Sequence, residues 1–510
     1  MALPTECDLL IVGGGINGAG IARDAAGQGL SVVLCERDDL AAHTSSASSK
    51  LIHGGLRYLE YGELGLVRKA LREREVLLRM APHLIAPLSF VMPHAPGMRP
   101  AWMIRAGLFL YDHLARRELL AGSAAVDLRR HPAGAPLQPS CTRGFTYADG
   151  WVDDARLVLA NAVDAHERGA RILVGAACTA LRRQVGGWEA ELTGQTPHRL
   201  RARAVVNAAG PWAGNFARLA VGDHAPALRL VKGSHIVVPR LFEHDQAYIL
   251  QQPDRRIVFA LPFHGAFTLI GTTDTDYQGD PAAAAIDAAE RAYLCAAVNR
   301  YFRRAIGEAD IVHTFSGVRP LLDSGEDKAA ALTRDYRLEL DADGPPLLHV
   351  WGGKITTYRK LAEEALALLG PRLGLEPRAW TGAAPLPGGD TGAPGSIDPG
   401  ADFAGFLDRT RARWPWLPAV LARQLAHRHG SRLARVLGDA ASLAGLGAQI
   451  APGLYERELA YMTAHEWARS ADDVLWRRTK QGLFCSAAEA QAVARWLNEH
   501  QRAGMLTLHG

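Results

Sequence analysis

Asp8-Leu9-Leu10-Ile11-Val12-Gly13-Gly14-Gly15-Ile16-Asn17-Gly18 runs an apolar stretch straight into a glycine turn, and each part has its own task. The apolar run reads as a buried parallel strand. Gly13 permits the tight turn, Gly15 lets the backbone approach a pyrophosphate, and Gly18 lets the next helix lie close to the strand. That helix, predicted over Ile16 to Ala26, points its N-terminal amides, those of Ile16 and Asn17 among them, toward phosphate. Ser31 to Cys35 forms a second strand. Glu36 then falls where a carboxylate accepts hydrogen bonds from an adenosine ribose and repels a 2′-phosphate, with Arg37 beside it. Together these residues predict a dinucleotide site and disfavour NADP.

A chain using a nicotinamide together with a flavin needs a second nucleotide turn, and no other GxGxxG follows a strand. Instead comes Thr44-Ser45-Ser46-Ala47-Ser48-Ser49-Lys50, then Leu51-Ile52-His53-Gly54-Gly55-Leu56-Arg57-Tyr58. Small hydroxylated residues and paired glycines admit backbone amides to a large planar ligand and its phosphates. A flexible serine-rich linker is the plain alternative; Leu51, Ile52, Leu56, Tyr58 and Leu59 are too apolar for it. The motif therefore points to FAD, with Thr44, Ser45, Ser46, Ser49, Lys50, Leu51, His53, Gly54 and Gly55 as expected contacts.

Two later strands end in small-residue turns: Ala204 to Asn207 runs into Ala208-Ala209-Gly210, and Leu347 to Val350 into Trp351-Gly352-Gly353-Lys354-Ile355-Thr356. A helix from Tyr358 to Leu369 follows the second, its N-terminus carrying partial positive charge. Ala209, Gly210, Gly353, Lys354, Ile355 and Thr356 join the expected cofactor contacts. An amphipathic helix is predicted over Ala155 to Arg168, followed by a strand at Arg171 to Gly175. The fold class is α/β: a Rossmann-like domain in three pieces (1–75, 146–227, 334–384), an inserted mixed or antiparallel sheet forming the substrate or cap domain (76–145, 228–333), and a helical C-terminal domain (400–510). The Gly/Pro-rich passage Pro385 to Pro399 marks the last boundary.

At 510 residues, 48% hydrophobic and 22% charged, the chain is an ordinary globular protein of about three domains on the usual prior of about 150 residues each. A net charge of +4 makes no case for nucleic acid. Six scattered cysteines without a CxxC pair suit reduced thiols in the cytoplasm. The first strand begins too near Met1 to leave space for a signal peptide, and no apolar stretch of about twenty residues is long enough to span a bilayer.

SSASSKLIHGGLRYLE, WVDDARLVLANA, KGSHIVVP, GTTD, SGVRP, GGKITTYRKLAEEAL and the C-terminal HEWARSADDVLWRRTKQGL resemble the FAD-dependent glycerol-3-phosphate dehydrogenases, particularly the bacterial aerobic type, over nearly the whole chain. The resemblance implies noncovalent FAD, oxidation of glycerol 3-phosphate to dihydroxyacetone phosphate, and electrons passed to membrane ubiquinone or menaquinone. It also implies peripheral attachment to the cytoplasmic side of the inner membrane. Oligomeric state is open, a homodimer included. A glycerol-3-phosphate oxidase on the same scaffold, releasing peroxide, is the nearest alternative; such oxidases often carry an insertion that is not evident here. An amine or amino-acid oxidase would need a carboxylate pocket without a phosphate site. A noncatalytic flavin-binding subunit would lack substrate-side residues that this chain keeps.

The reaction needs a hydride acceptor, which the flavin provides, a phosphate site and a proton acceptor. Arg57, Arg319 and Lys354 are the candidate cations. Arginine suits phosphate through its planar fork, and Arg57 and Arg319 each sit beside glycine or proline at an apolar strand end. By resemblance, both belong to the substrate pocket with Tyr58 and Thr273, and Lys354 to the flavin or substrate phosphate region. His235 is the best chemical fit for the base, since imidazole titrates near neutrality; Arg319 would polarise the substrate hydroxyl. Asp153, Asp154, Asp274 and Asp276 lack His or Cys companions and read as helix caps and turn anchors, so no metal is expected. Pro100 to Tyr111, followed by Arg116 and Arg117, suits either a core helix or one lying in a membrane interface. No chemical role is assigned to the C-terminal domain.

Overall fold

The computed structural model describes residues 4–94, 99–194, 197–222, 228–322, 335–393 and 402–507. The apolar stretch that opens the chain is a strand, Glu6–Val12, and it lies centrally because Leu9, Leu10 and Ile11 are fully buried and leave neither face fit for water. It pairs in parallel with Val32–Glu36 on one side and His198–Asn207 on the other. Parallel neighbours Leu347–Trp351 and Arg171–Val174 extend this sheet, and an antiparallel hairpin, Cys178–Gln184 with Gly187–Leu192, joins it along His198–Asn207. Three helices, Ile16–Gly27, Asp154–Glu167 and Tyr358–Leu373, share a large apolar core with it. Each helix begins within a few residues of the motif that predicted it.

A second, ten-stranded sheet stands against the first. It is antiparallel except where Ala247–Gln251 runs beside Ile85–His94, and one end of it is the long pair Leu228–Pro239 and His313–Leu322. Leu228–Pro239, Ala247–Gln251, Ile257–Phe263 and Phe267–Gly271, all in the stretch expected to form an inserted sheet, fall within it. Two expected boundaries cut through elements. The 75/76 division lies inside the helix Leu64–Met80, and the 145/146 division inside the strand Arg143–Val152, which pairs with Ile85–His94 along its whole length. The short strand Leu51–Ile52, assigned to the nucleotide domain, also pairs in the second sheet. A strand that leaves one sheet for another need not change its composition, so sequence carries no mark of the crossing.

The C-terminal part is mostly helical, with Phe403–Arg413, Ala419–His429, Glu456–His465 and Ala487–Thr507 beside a two-stranded ribbon. Residues 394–399 of the predicted linker lie outside the described residues. Buried charge pairs tie this part to the nucleotide domain: both oxygens of Glu466 accept from Arg156 at 2.8 Å. The π-helical turn Asp473–Arg478 places Arg477 and Arg478 on Asp39, three residues past Glu36, and stacks Trp476 on His313 at 3.9 Å. Arg478 is 0% exposed.

Candidate active site

A cavity of about 680 Å³ lies between the two sheets, well within the range of small-molecule sites. One end is built by the first glycine turn. Gly13 has φ +115°, and a Cβ there would stand 2.4 Å from the Ala208 carbonyl oxygen. At Gly18 a Cβ would come 1.9 Å from the Gly13 oxygen, so Gly18 serves helix–strand packing and stays out of the cavity wall. Gly13, Gly15, Ile16 and Asn17 line the cavity. No side chain caps the helix from Gly15; the Ile16 amide instead reaches Ser45 Oγ at 3.0 Å. Asn17 donates to the Gly352 oxygen at 3.1 Å, and its own buried Oδ1 has no hydrogen-bond partner among the described residues.

Glu36 and Arg37 also line this end. Glu36 accepts the Gly14 amide at 2.7 Å and the Asp38 amide at 2.8 Å. Burial pushes its carboxyl pKa up, and those two amides oppose the shift. The carboxylate therefore stiffens the turn and keeps lone pairs for a ribose. Arg37 lies 3.9 Å above the Trp212 ring, whose edge contact with His43 is at 4.7 Å. Trp212, Cys178 and Phe216 in this wall went unread in the sequence, although Trp212 follows the Gly210-Pro211 turn.

The serine-rich stretch divides by direction. Thr44, Ser45, Ser49, Leu51 and His53 line the cavity, whereas Ser46, Lys50, Gly54 and Gly55 stand behind them. Ser46 Oγ donates to the His43 oxygen at 3.2 Å. Lys50 is buried against Asp154, its ammonium 2.7 and 2.8 Å from the two carboxylate oxygens, and burial pulls its pKa down despite that partner. The Gly54 amide donates to Tyr111 Oη at 2.8 Å, and Gly55 caps the 3₁₀ turn Leu56–Tyr61 with φ 77°. These four shape the loop from outside the wall.

Ala209, Gly210, Gly353, Lys354, Ile355 and Thr356 all line the cavity, and Thr356 Oγ1 accepts the His53 amide at 3.2 Å. Lys354 Nζ stands 3.8 Å over the Tyr58 ring, which is also in the wall. Arg319 reaches the same region from the second sheet, ion-paired to Asp274 and donating to Thr272 Oγ1 at 3.3 Å. Arg57 lies outside the wall, donating to Tyr61 Oη at 3.4 Å. Thr273 is buried and occupied: it accepts the Ser234 amide at 2.9 Å and donates to Glu290 at 2.7 Å. His235 sits one layer back, its Nε2 2.9 Å from Ser49 Oγ and its ring stacked on Phe315 at 4.8 Å. Burial, with Lys50 and Arg319 adding to it, holds the His235 pKa well below the usual imidazole range, so the ring is neutral at pH 7.

Of the four aspartates read as caps and anchors, Asp153 is a helix N-cap, accepting the Arg156 amide at 3.2 Å. All four also pair with a cation: Asp153 with Lys480, Asp154 with Lys50, Asp274 with Arg319 and Asp276 with Arg229. Each cation approaches from a distant part of the chain, which is why local sequence did not reveal the pairing.

Residues 8–359 match the FAD dependent oxidoreductase family, and residues 379–502 match the C-terminal domain of alpha-glycerophosphate oxidase. A glycerol-3-phosphate dehydrogenase of Pseudomonas aeruginosa is 52% identical over 97% of this chain and 95% of its own. The chain belongs to the FAD-dependent glycerol-3-phosphate dehydrogenase family. A D-erythritol 1-phosphate dehydrogenase of Brucella abortus is 48% identical, over 98% of this chain and 99% of its own. The crystal structure of a glycerol-3-phosphate dehydrogenase from Bacillus halodurans, complexed with FAD, superposes with a TM-score of 0.78 at 28% identity, covering 97% of this chain and 90% of the other. The cavity suits the family's cofactor on its own terms: an uncapped helix N-terminus, the unpartnered Asn17 Oδ1 and the crowded Gly13 turn meet at the dinucleotide end. Among the described residues no group of three His, Cys, Asp or Glu side chains is placed to hold a metal ion.

Proposed function

We propose that this protein oxidises the C2 hydroxyl of sn-glycerol 3-phosphate to give dihydroxyacetone phosphate and delivers the electrons to membrane quinone. The observation that carries the reading is that Arg319, from the second sheet, and Lys354, from the turn after Leu347–Trp351, both line the cavity that the first glycine turn also walls. Two cations suit a phosphate dianion, and each charge-assisted bond to it contributes about 1.5–3 kcal/mol. FAD, when bound, supplies the hydride acceptor. Arg319 steadies the oxygen that becomes the ketone. Ser49 lines the cavity and touches His235, so the hydroxyl proton has a path through Ser49 Oγ to a neutral imidazole.

Quinone lies in lipid, so the enzyme must meet a bilayer. No helix among the described residues is long and apolar enough to cross one. The helix Ala101–His113 buries Ile104, Leu108 and Tyr111 in the core and turns Trp102 (70% exposed) and Phe109 (58%) outward with Met103 and Leu110. Exposed aromatics beside Arg116 and Arg117 favour peripheral insertion at the cytoplasmic face. The helix thus has a buried apolar face and an exposed apolar face, so each of the two readings the sequence allowed has a face that fits it.

Anaerobic mixing of the purified holoprotein with glycerol 3-phosphate tests the chemistry. Flavin bleaching followed by reduction of a quinone analogue is the expected result; an unbleached flavin refutes it, and stoichiometric peroxide in air would favour the oxidase. Comparing kcat/KM for glycerol 3-phosphate and D-erythritol 1-phosphate decides between the substrates that the relatives' names suggest.

A further inference from the structure

The runs Lys232-Gly233-Ser234-His235 and Gly271-Thr272-Thr273-Asp274 hold more polar side chains than the cavity uses. Alternation along the strand Leu228–Pro239 explains the division. Gly233 and His235 share a face with their cross-strand partners Gly317 and Phe315, and with Arg319, which lies opposite Val231. Gly233, Gly317 and Arg319 are in the cavity wall. Lys232 and Ser234 point the other way, toward the helix Ala288–Asn299, and there they meet one carboxylate.

Glu290, 6% exposed, receives Thr273 Oγ1 at 2.7 Å, Ser234 Oγ at 3.0 Å and the Lys232 ammonium at 2.9 Å, besides the Asp287 amide of its own helix cap at 3.0 Å. Thr273 in turn accepts the Ser234 amide at 2.9 Å, so carboxylate, hydroxyl and strand backbone form one connected chain. The neighbours of Thr273 on either side, Thr272 and Asp274, are the groups that hold Arg319. The fit leaves no slack: a Cβ at Gly233 would stand 2.5 Å from Arg319 Nη2 and 2.6 Å from Thr272 Oγ1.

We propose that Glu290 is a positioning residue of the reaction, fixing from behind the sheet the segment whose front face aims Arg319 into the cavity and His235 at Ser49. The proposal rests on Arg319 being the substrate cation. Glu290, Lys232, Ser234 and Thr273 are all absent from the cavity wall, so the carboxylate acts only through what it holds. A carboxylate withdrawn from water persists where it gathers several donors and a countercharge, and Glu290 has both. Misplacing an orienting group by about 1 Å costs about 10²-fold in rate, which sets the scale.

Glu290→Gln and Glu290→Asp, purified with FAD, are compared with the parent and with Arg319→Ala. Substrate-driven flavin reduction in anaerobic stopped flow is expected to slow by about 10–100-fold in Glu290→Gln and by less in Glu290→Asp, which keeps the charge for Lys232. Dithionite should reduce the flavin of every variant as fast as the parent's, with FAD content close to parental; Glu290→Gln should melt lower, because it takes the buried countercharge from Lys232, and Glu290→Asp less so. Parental rates of substrate reduction in both Glu290 variants overturn the proposal. So does a loss in Glu290→Asp, the variant to be read should Glu290→Gln fail to fold, that merely tracks lost flavin. A parental rate in Arg319→Ala removes the premise itself, separating that failure from the first.

Discussion

Replacing Asp154 with asparagine strands a charge. The Lys50 ammonium and the Asp154 carboxylate are 2% and 0% exposed, and Asp154 also receives Ser48 Oγ at 2.7 Å and the Ser48 amide at 3.2 Å. Asparagine keeps the volume and an acceptor but loses the negative charge. Removing one member of a buried pair costs about 3–5 kcal/mol, because the remaining ion is left in a low dielectric; the total margin of a folded protein is only about 5–15 kcal/mol. The deficit has a pH signature. Burial already depresses the Lys50 pKa, and without Asp154 it falls further. The fold then binds fewer protons than the unfolded chain, so the variant recovers stability as pH rises toward the unfolded lysine pKa of about 10.4. The stretch tethered by this pair borders the cavity through Ser45 and Ser49, so weaker FAD retention should accompany the loss. Urea unfolding, followed by far-UV circular dichroism and flavin release at pH 7 and pH 9, measures both effects. An unchanged midpoint at pH 7, or a deficit equal at the two pH values, would refute the reasoning. Removing both charges together in Lys50→Met/Asp154→Leu should recover much of the loss, since apolar replacement of a buried pair is often neutral.

Three further outcomes are expected. Arg319→Ala should raise KM for glycerol 3-phosphate by about 10–100-fold, the worth of one or two charge-assisted bonds, with lysine restoring part of it; a KM within twofold of the parent would count against the phosphate assignment. Phe109→Glu should lower co-sedimentation with anionic vesicles severalfold and leave turnover with a soluble acceptor unchanged, and unaltered sedimentation would exclude that helix as the attachment site. Asp24 is buried, and burial pushes its carboxyl up to about 6, from 3.8. A raised pKa means that the fold favours the protonated form, so its contribution is complete below pH 3.8 and lost as pH climbs through about 6. Asp24→Asn should therefore stabilise the protein at pH 8 by up to about 3 kcal/mol and change little near pH 4, as read by thermal melts; an equal gain at both pH values would contradict this.

The dinucleotide half of the fold was open to reading because its determinants are local: a strand, a turn and a helix within Asp8 to Ala26 state their own geometry. The second sheet was legible only in outline. Its strands announce themselves by composition, but the switch of Leu51–Ile52 and Arg143–Val152 into it depends on partners far along the chain. The same limit governs the site. Arg319 and Lys354, expected by type and context, line the cavity, while His235 was expected at the substrate and stands behind Ser49, a residue 186 positions away whose place against the ring no local pattern states. The setting of Glu290 could not be read from sequence: apart from the Asp287 amide of its own helix cap, its donors include Thr273, Ser234 and Lys232, 17 to 58 residues away.

Asp39 and its two arginines bear on how the protein tolerates shortening. A version ending before Asp473 would leave an unbalanced carboxylate in the loop that follows Glu36 at the edge of the nucleotide pocket. Its defect would surface as poor cofactor loading well before any collapse of the first sheet, so a truncation chosen for convenience would pass for a flavin-binding mutant.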